Sequence, residues 1–437
     1  MIALVSVYSG LKPPIPKTKN FLTRFTTNTK EFTMKKGLLL SVIASTLLIA
    51  GGSTTAPKKP IGDLGQALQD GKFTAKLRAF YFDRSFDTDK KDAKAMTAGG
   101  IIKYVSGDYH GLSIGLAHYS STRLGNTFSR SEGSGTSILG RDGEDLAFLG
   151  EAYIQYDADN TMFKVGRQQL STPLMQNHDL RILPSVYEAA IVRNKDIPNT
   201  MIEVGFVDRY TGFTSKENAF LDKKTGKDGL AYISFSNKSI DRLALRGQYI
   251  KALTDEASRE SYSYLDAKYS VPAGKNSYVK AQFGQNGYDK GDDSTLVGAK
   301  VGTTVGKFDL ALLYDKVSDN AFQAFESGPM YSDWQQGYGP YEASTAVGGQ
   351  VVFKPLSALS LKLGFVDVKS DTNLLVDDFT ELNIDAKYKI NSYSKIRVRY
   401  SKKDQSSASE KLKFDAIDGN GGREDRDDFR IIYYMNF

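Results

Sequence analysis

The 437-residue sequence contains 57 lysines and arginines, 51 aspartates and glutamates, and no cysteine. Residues 1–33 carry five basic residues and one acidic residue, and Lys35 and Lys36 add two positive charges, so the chain from Pro57 onward is neutral. The net charge of +6 therefore does not support nucleic-acid binding by the body of the protein. Without cysteine the chain has no thiol for a lipid anchor, and it suits export without disulfide formation.

The segment that begins at Met34 has the layout of a secretory signal peptide. Lys35 and Lys36 precede an apolar run over 37–50, and small residues follow over 51–56, which is the order of a charged region, a hydrophobic region and a cleavage zone. The run is shorter than the about 20 residues that a membrane-spanning helix needs, and a buried core helix is the alternative. We predict an extension upstream of the true start over 1–33, a signal peptide over 34–56, and a short periplasmic segment over 57–71.

From residue 72 to residue 437 the chain repeats one pattern, in which apolar and polar side chains alternate over segments of about 10 residues. Leu243, Leu245 and Tyr249, for example, alternate with Arg246 and Gln248. Because strand side chains point alternately to opposite faces, each segment presents one apolar and one polar face. The segments number roughly 18, and bacterial outer-membrane barrels have an even number of strands.

The connections between these segments alternate between short and long. Short polar connections such as 157–160 and 272–276 contrast with long ones such as 120–146 and 402–426. Short turns on one side and long loops on the other are typical of an outer-membrane barrel. We predict an all-β fold, a transmembrane antiparallel β-barrel of about 18 strands. A soluble sandwich or propeller is the alternative, and it would need a second layer to cover so many apolar faces.

The last nine residues, 429–437, are predicted to form a strand with one aromatic and apolar face. Arg430, Tyr434 and Asn436 fall on the other side, and Ile432 is an exception to the alternation. The segment resembles the C-terminal strand of bacterial outer-membrane proteins, in which a terminal phenylalanine serves as the assembly signal. That resemblance implies recognition by the barrel assembly machinery. The predicted assembly residues are Phe429, Tyr433 and Phe437.

Four stretches of the chain, 77–84, 106–112, 164–167 and 181–188, carry a family signal together with Pro173 and Asn177. They resemble the OprD-like family of outer-membrane porins from Gram-negative bacteria. The resemblance covers the chain from 72 to 437. It implies an inward-folded constriction loop and a monomeric or homotrimeric porin for small, often anionic or zwitterionic, solutes. The major porins of epsilonproteobacteria share this general pattern, and both interpretations stay open.

Lysines and arginines occupy many positions that face the predicted lumen. Because the first and last strands meet at closure, Arg78 should lie near Arg397, Arg399 and Arg430 as a contiguous basic track. Such tracks favour anions, and the OprD-like family is known for a basic ladder, which this track matches by strand location. The alternative is the ordinary polarity that every water-filled barrel needs. The predicted track comprises Lys76, Arg78, Arg242, Arg246, Lys395, Arg397, Arg399 and Arg430.

The connection over 168–187 contains more apolar residues than a solvated surface loop should. We therefore predict a loop that folds into the barrel and narrows it; an extracellular loop packed on its neighbours is the alternative. A second apolar-rich loop, 321–341, is either a second lid or a surface or trimer contact. The predicted constriction residues are Arg167, Asp179, Arg181, Tyr187 and Glu188.

Signals for catalysis are poor, since none of the three histidines accompanies a recognisable nucleophile motif. We expect no enzyme activity, cofactor or catalytic metal. The acidic stretch 415–428 does not match an EF-hand loop, which leaves a loose calcium site or a solvated extracellular loop. The predicted function is a diffusion channel for small hydrophilic solutes, favouring carboxylates or amino acids, in contact with outer-membrane lipid and lipopolysaccharide. An adhesin or anchor barrel and an outer-membrane lipase are the alternatives.

Overall fold

The computed structural model describes residues 63–87, 92–125, 138–140, 143–176, 181–211, 228–253, 259–325, 328–332, 334–335, 343–371, 378–405 and 425–437. These residues form one 18-stranded sheet in which each strand pairs antiparallel with its neighbours in sequence. The predicted upstream extension and signal peptide lie outside the described residues. The strands are β1 (Lys72–Phe86), β2 (Ala93–Val105), β3 (Leu112–Arg123), β4 (Leu146–Ala158), β5 (Thr161–Gln168), β6 (Val186–Asn194), β7 (Thr200–Thr211), β8 (Leu230–Asn237), β9 (Leu243–Ala252), β10 (Arg259–Ser270), β11 (Lys275–Tyr288), β12 (Ser294–Val305), β13 (Phe308–Ser318), β14 (Ser344–Leu356), β15 (Leu359–Ser370), β16 (Phe379–Lys389), β17 (Ser394–Gln405) and β18 (Arg426–Asn436).

The sheet closes on itself because β1 pairs with both β2 and β18. The pairing of β1 with β18 runs from Lys76 opposite Asn436 to Phe86 opposite Arg426. A closed sheet leaves no strand edge unpaired, which is the condition for strands to cross hydrocarbon. The predicted fold, an antiparallel barrel of 18 strands whose last strand meets its first, is confirmed.

The outer face of the barrel is apolar. In β13 the exposed Leu310 and Leu312 alternate with the buried Ala311 and Leu313, and Leu312 keeps 67% of its surface exposed. Leaving such a side chain in water would cost about 1.5–3 kcal/mol relative to burying it. Hydrocarbon removes that cost, so the alternation that creates the strand also creates a lipid-facing surface.

Ile432, the apolar exception on the polar face of β18, points into a part of the lumen that is filled by other side chains. It is fully buried and belongs to an apolar cluster with Phe80 and Phe82 of β1 and with Ile182 and Leu183 of the connection before β6. Ile432 therefore provides a contact for a segment that enters the barrel, where water would otherwise favour a polar residue.

The connections at one end of the barrel are short, and those at the other end are longer. Two-residue turns such as 306–307 and 357–358 follow even-numbered strands, whereas the long connections follow odd-numbered strands. In outer-membrane barrels the short turns are periplasmic and the long loops extracellular. We call the connection 169–185, between β5 and β6, loop A, and the connection 319–343, between β13 and β14, loop B. The described residues of both connections enter the lumen.

A short helix, α1 (Leu64–Gln69), precedes the first strand. The Asp63 carboxylate caps it by accepting a hydrogen bond from the Gly65 N–H at 3.1 Å, since the first N–H groups of a helix lack partners within the helix. The Ala67 carbonyl accepts from the Gly107 N–H at 2.8 Å, so the helix docks on the turn before β3. Within the described residues no helix is long and apolar enough to cross a membrane.

Candidate functional site

Four of the predicted track residues lie together on one wall of the lumen. Arg399 stands directly opposite Arg430 across the β17–β18 pair, and Arg397 lies two residues before Arg399. Arg78 of β1 stands opposite Tyr434 of β18 and lies over its ring at 4.8 Å. Period-two alternation turns all four guanidinium groups inward. We give the name arginine wall to six inward cations of this region: Lys76, Arg78, Lys395, Arg397, Arg399 and Arg430.

Asp428 is a carboxylate of this wall that the sequence reasoning misplaced. It is fully buried and accepts hydrogen bonds from Arg84 Nε at 2.5 Å and Nη2 at 2.9 Å, and from Arg430 Nη2 at 2.6 Å. The acidic stretch 415–428 was expected to be a solvated loop or a loose cation site. Its last residue instead belongs to β18 and faces inward, because it shares the parity of Arg430. Residues 415–424 lie outside the described part of the chain.

Asp385 of β16 is a second buried carboxylate, and the sequence reasoning missed it. It stands directly opposite Arg399 across the β16–β17 pair and binds Arg397 Nη2 at 2.5 Å, with Arg399 Nε at 3.7 Å. Both Asp385 and Asp428 hold guanidinium groups in a fixed orientation, as buried ion pairs require. The six cations of the arginine wall outnumber these two carboxylates.

Exposure falls steadily along the arginine wall toward the extracellular end. Lys76 is exposed and Arg78 is half-buried, whereas Arg397 is 9% exposed, Arg399 7% and Arg430 not at all. The periplasmic half of the wall thus meets the aqueous lumen, and the extracellular half is covered by protein.

Loops A and B cover the wall through their backbone carbonyls. The Arg181 carbonyl of loop A accepts a hydrogen bond from Arg78 Nη1 at 2.5 Å. The Gln335 carbonyl of loop B lies 3.4 Å from Arg430 Nη2. A carbonyl oxygen carries only a partial negative charge, so each loop occupies a guanidinium without neutralising it.

Loop A folds into the lumen, as predicted. Leu170, Leu174 and Met175 are almost completely buried, and the Leu174 N–H donates to the Gln248 side-chain oxygen on β9 at 2.7 Å. The Leu174 carbonyl accepts from the Phe325 N–H of loop B at 2.9 Å, so the two loops are joined inside the barrel. Asp179, one of the predicted constriction residues, lies outside the described residues.

Two of the predicted constriction residues do not lie in the constriction. Arg167 of β5 and Glu188 of β6 stand opposite each other and form an ion pair at 2.7 Å. Glu188 lies between the buried, inward-facing Tyr187 and Ala189, so alternation turns it to the outer face. Glu188 also binds Arg209 at 2.9 Å. The prediction for Arg167 and Glu188 was wrong, because both belong to strands and occupy positions that alternate with the inward-facing ones. Tyr187, by contrast, does face inward.

Two of the predicted track residues lie on the opposite wall. Arg246 belongs to β9, nine strands from β18 in the ring of 18, and pairs with Asp266 at 2.6 Å. Arg242 lies in the turn before β9, with a φ of 62°, and its side chain is 47% exposed beside Asp241. The prediction of one track that includes Arg242 and Arg246 was therefore wrong: sequence parity gives the face of a strand but not the position of the strand around the ring.

A buried carboxylate on the inner face of β13 anchors loop B to the barrel. Asp315 of β13 accepts hydrogen bonds from the N–H and the Oγ of Ser332, each at 2.7 Å, and from the Gln282 side chain at 2.7 Å. Phe322 and Phe325 of the same loop are buried in the main apolar cluster. Of the interpretations left open for this loop, the structure favours the second lid.

The predicted assembly residues lie along one face of β18 and its extension. Phe429 contacts the Tyr81 ring of β1 with centroids 6.3 Å apart. Tyr433 is half-buried and stands opposite Ala79. Phe437 stacks on Tyr393 at 6.3 Å. Aromatic side chains of this kind favour the borders between hydrocarbon and water.

Comparison with known proteins identifies relatives of this barrel. Residues 66–353 match the OprD family of outer membrane porins. OccK3 (OpdO) of Pseudomonas aeruginosa is similar with a TM-score of 0.68 and 16% identity over 86% of this chain and 97% of that chain. OccAB4 of Acinetobacter baumannii is similar with a TM-score of 0.71 and 14% identity over 84% of this chain and 98% of that chain.

A third relative was solved with a small molecule. OpdK of Pseudomonas aeruginosa, in a structure with vanillate, has a TM-score of 0.69 and 17% identity over 85% of this chain and 99% of that chain. At such identities the likeness establishes a shared fold. No curated protein matches the sequence.

Proposed function

The chain belongs to the OprD family of outer membrane porins and so to the bacterial outer membrane, and from that premise we propose a preference for anionic and zwitterionic solutes. The proposed solutes are small carboxylates and amino acids that cross by diffusion. The observation that carries the proposal is the arginine wall, whose six cations outnumber the carboxylates Asp385 and Asp428 and whose periplasmic members Lys76 and Arg78 meet the lumen.

The physical reason is electrostatic. Fields inside a narrow pore with low-dielectric walls are screened less than fields on a flat surface, so a wall with excess positive charge attracts anions and repels cations. Guanidinium groups also match carboxylates geometrically, because two parallel N–H donors meet two oxygens. The relative solved with vanillate, a carboxylate anion, is consistent with this chemistry.

Single-channel recording in a planar bilayer tests the proposal. The purified, heat-modifiable protein should give discrete conductance steps in potassium chloride. Under a salt gradient, the zero-current potential should have the sign of anion preference, and its size should fall as the salt concentration rises. A channel that prefers cations would contradict the proposed selectivity, and folded protein without conductance would contradict the proposed diffusion.

Replacing Asp315 by asparagine should loosen loop B. The amide retains one acceptor oxygen but presents N–H donors to Ser332, which itself donates through its N–H. Hydrogen bonds to a charged group contribute about 1.5–3 kcal/mol each, so we expect a higher mean conductance and more frequent transitions between levels in single-channel recordings.

The matched control is Asp309→Asn, the same change on the same strand. Asp309 binds Lys354 at the periplasmic end and not loop B. Equal conductance traces for the two variants would show that Asp315 does not hold the lid.

Deletion of Phe437 should lower the yield of folded barrel. The Phe437 N–H donates to the Ala75 carbonyl at 2.8 Å, and the Phe437 carbonyl accepts from the Ala75 N–H at 3.1 Å. The deletion therefore removes the aromatic side chain and the last pair of backbone hydrogen bonds between the C-terminus and β1. The measurement is the fraction of heat-modifiable protein in outer membranes. Phe437→Tyr, which keeps the ring and the backbone, is the control, and equal yields for deletion and control would refute the assembly role.

A further inference from the structure

A row of three lysines faces the lumen on β10, β11 and β12. Lys268 stands directly opposite Lys280, and Lys280 stands directly opposite Lys300. Directly opposed residues have Cβ atoms about 4.5–5.5 Å apart, so the three ammonium groups share one small region. Lys280 has the parity of the buried Gln282, which places the row on the inner face. We call these residues the lysine row.

The nearby carboxylates are bound to other groups. Asp266, two residues before Lys268, is bound by Arg246 at 2.6 Å. Asp315 accepts hydrogen bonds from Ser332 and Gln282. Across the described ranges, no carboxylate oxygen lies within 4.0 Å of an ammonium nitrogen of the lysine row. Clustered like charges are unfavourable unless an anion joins them.

Two tyrosine rings flank the lysine row. Tyr278 of β11 has its ring centre 5.2 Å from Lys268 Nζ and 5.6 Å from Lys280 Nζ. Tyr331 of loop B has its ring centre 5.9 Å from Lys280 Nζ and 6.0 Å from Lys300 Nζ. The ring faces attract the ammonium groups without neutralising them. The rings therefore orient the lysines and leave their positive charge available to a solute.

The lysine row and the arginine wall lie on different strands. The lysine row lies on β10 to β12, and the arginine wall lies on β17, β18 and β1, with β13 to β16 between them on one side of the ring. The chemistry also differs, because an ammonium group is a compact point charge, whereas a guanidinium is a planar fork matched to two coplanar oxygens. Three point charges in a row suit an anion whose oxygens point in several directions and can bridge neighbouring lysines.

We propose that the lysine row, with Tyr278 and Tyr331, is a second anion site of the lumen that binds a tetrahedral oxyanion of the phosphate class. The site rests on the proposed function only for the route by which its ligand arrives. A phosphate dianion bridging Lys280 with Lys268 or Lys300 offsets most of the local charge, whereas a single chloride leaves most of it uncompensated.

Equilibrium binding of radiolabelled inorganic phosphate to the folded protein in detergent tests the proposal without requiring conduction. The test variant is Lys280→Gln/Lys300→Gln, and the control is Lys195→Gln/Lys238→Gln, which removes the same charge from exposed positions in two periplasmic turns. We expect saturable phosphate binding in the unmodified protein and the control. In the test variant it should be weaker by at least about tenfold, because two charge-assisted contacts are lost.

Absence of saturable phosphate binding in the unmodified protein, or equal binding by the test and control variants, would overturn the proposal. Planar-bilayer recording separates this result from failure of the proposed function. Phosphate binding without chloride conductance would retain the site and refute the channel, whereas conductance without phosphate binding would retain the channel and refute the site.

Discussion

Replacing Asp428 by asparagine should destabilise the barrel by about 3–5 kcal/mol, because removing one partner of a buried ion pair leaves an uncompensated buried charge. Arg84 and Arg430 share this carboxylate, and Arg430 and Asp428 are both fully buried. The amide cannot supply the negative charge that offsets their desolvation. A barrel that closes through β1 and β18 should be sensitive to this change, since Arg84 and Asp428 stand directly opposite each other across that closure.

The measurement is the urea midpoint for loss of the compact, heat-modifiable form. Asp427→Asn is a matched control, because the neighbouring residue faces outward and is half-buried. We expect a clear drop in the urea midpoint for Asp428→Asn and little change for the control. If the two midpoints coincide, the Asp428 cluster does not contribute to closure.

Neutralising Arg397 and Arg399 together by glutamine should move the channel toward cation preference. The change removes two positive charges and leaves Asp385, which Arg397 binds at 2.5 Å, facing the lumen without its main partner. One charge about 8 Å from a passing ion contributes roughly 1 kcal/mol at an effective dielectric constant of ~40. With screening, we expect the anion-to-cation permeability ratio to fall by about fivefold to tenfold at low salt.

The zero-current potential in a salt gradient measures this ratio. The shift should shrink near 1 M salt, where the Debye length is about 3 Å. Lys316→Gln/Lys369→Gln removes the same charge from exposed residues of the outer face and should leave the potential unchanged. An unchanged potential in Arg397→Gln/Arg399→Gln would mean that these side chains do not act on the permeating ion.

The sequence predicts the barrel well because strand alternation is local and has a fixed period. Leu312 and its neighbours show their face in a few residues, and the number of such segments gives the number of strands. Closure then follows, since a barrel must join its first and last strands. Arg78, Arg397, Arg399 and Arg430 lie on the adjoining strands β1, β17 and β18, and the structure adds their order along the arginine wall.

What the sequence does not predict depends on long-range position. Arg246 has inward parity, but parity cannot show that β9 lies across the lumen from β18. Asp428 was hidden in an acidic stretch, although its spacing from Arg430 was a usable signal. Arg167 and Glu188 were assigned to the loop because the ends of strands are poorly marked in sequence. The contact of Leu174 with Gln248 joins residues far apart in the chain, and no local pattern indicates it.

The bridge between Leu174 and Phe325 has a consequence for protein engineering. Loop A and loop B meet each other as well as the walls, so each loop is shaped to the other. A chimera that takes only one of these loops from a relative, in order to change solute specificity, would contain a loop whose surface fits the relative's other loop and not the one present. Such chimeras should be made with loop A and loop B exchanged together, because the two loops are joined to each other inside the barrel.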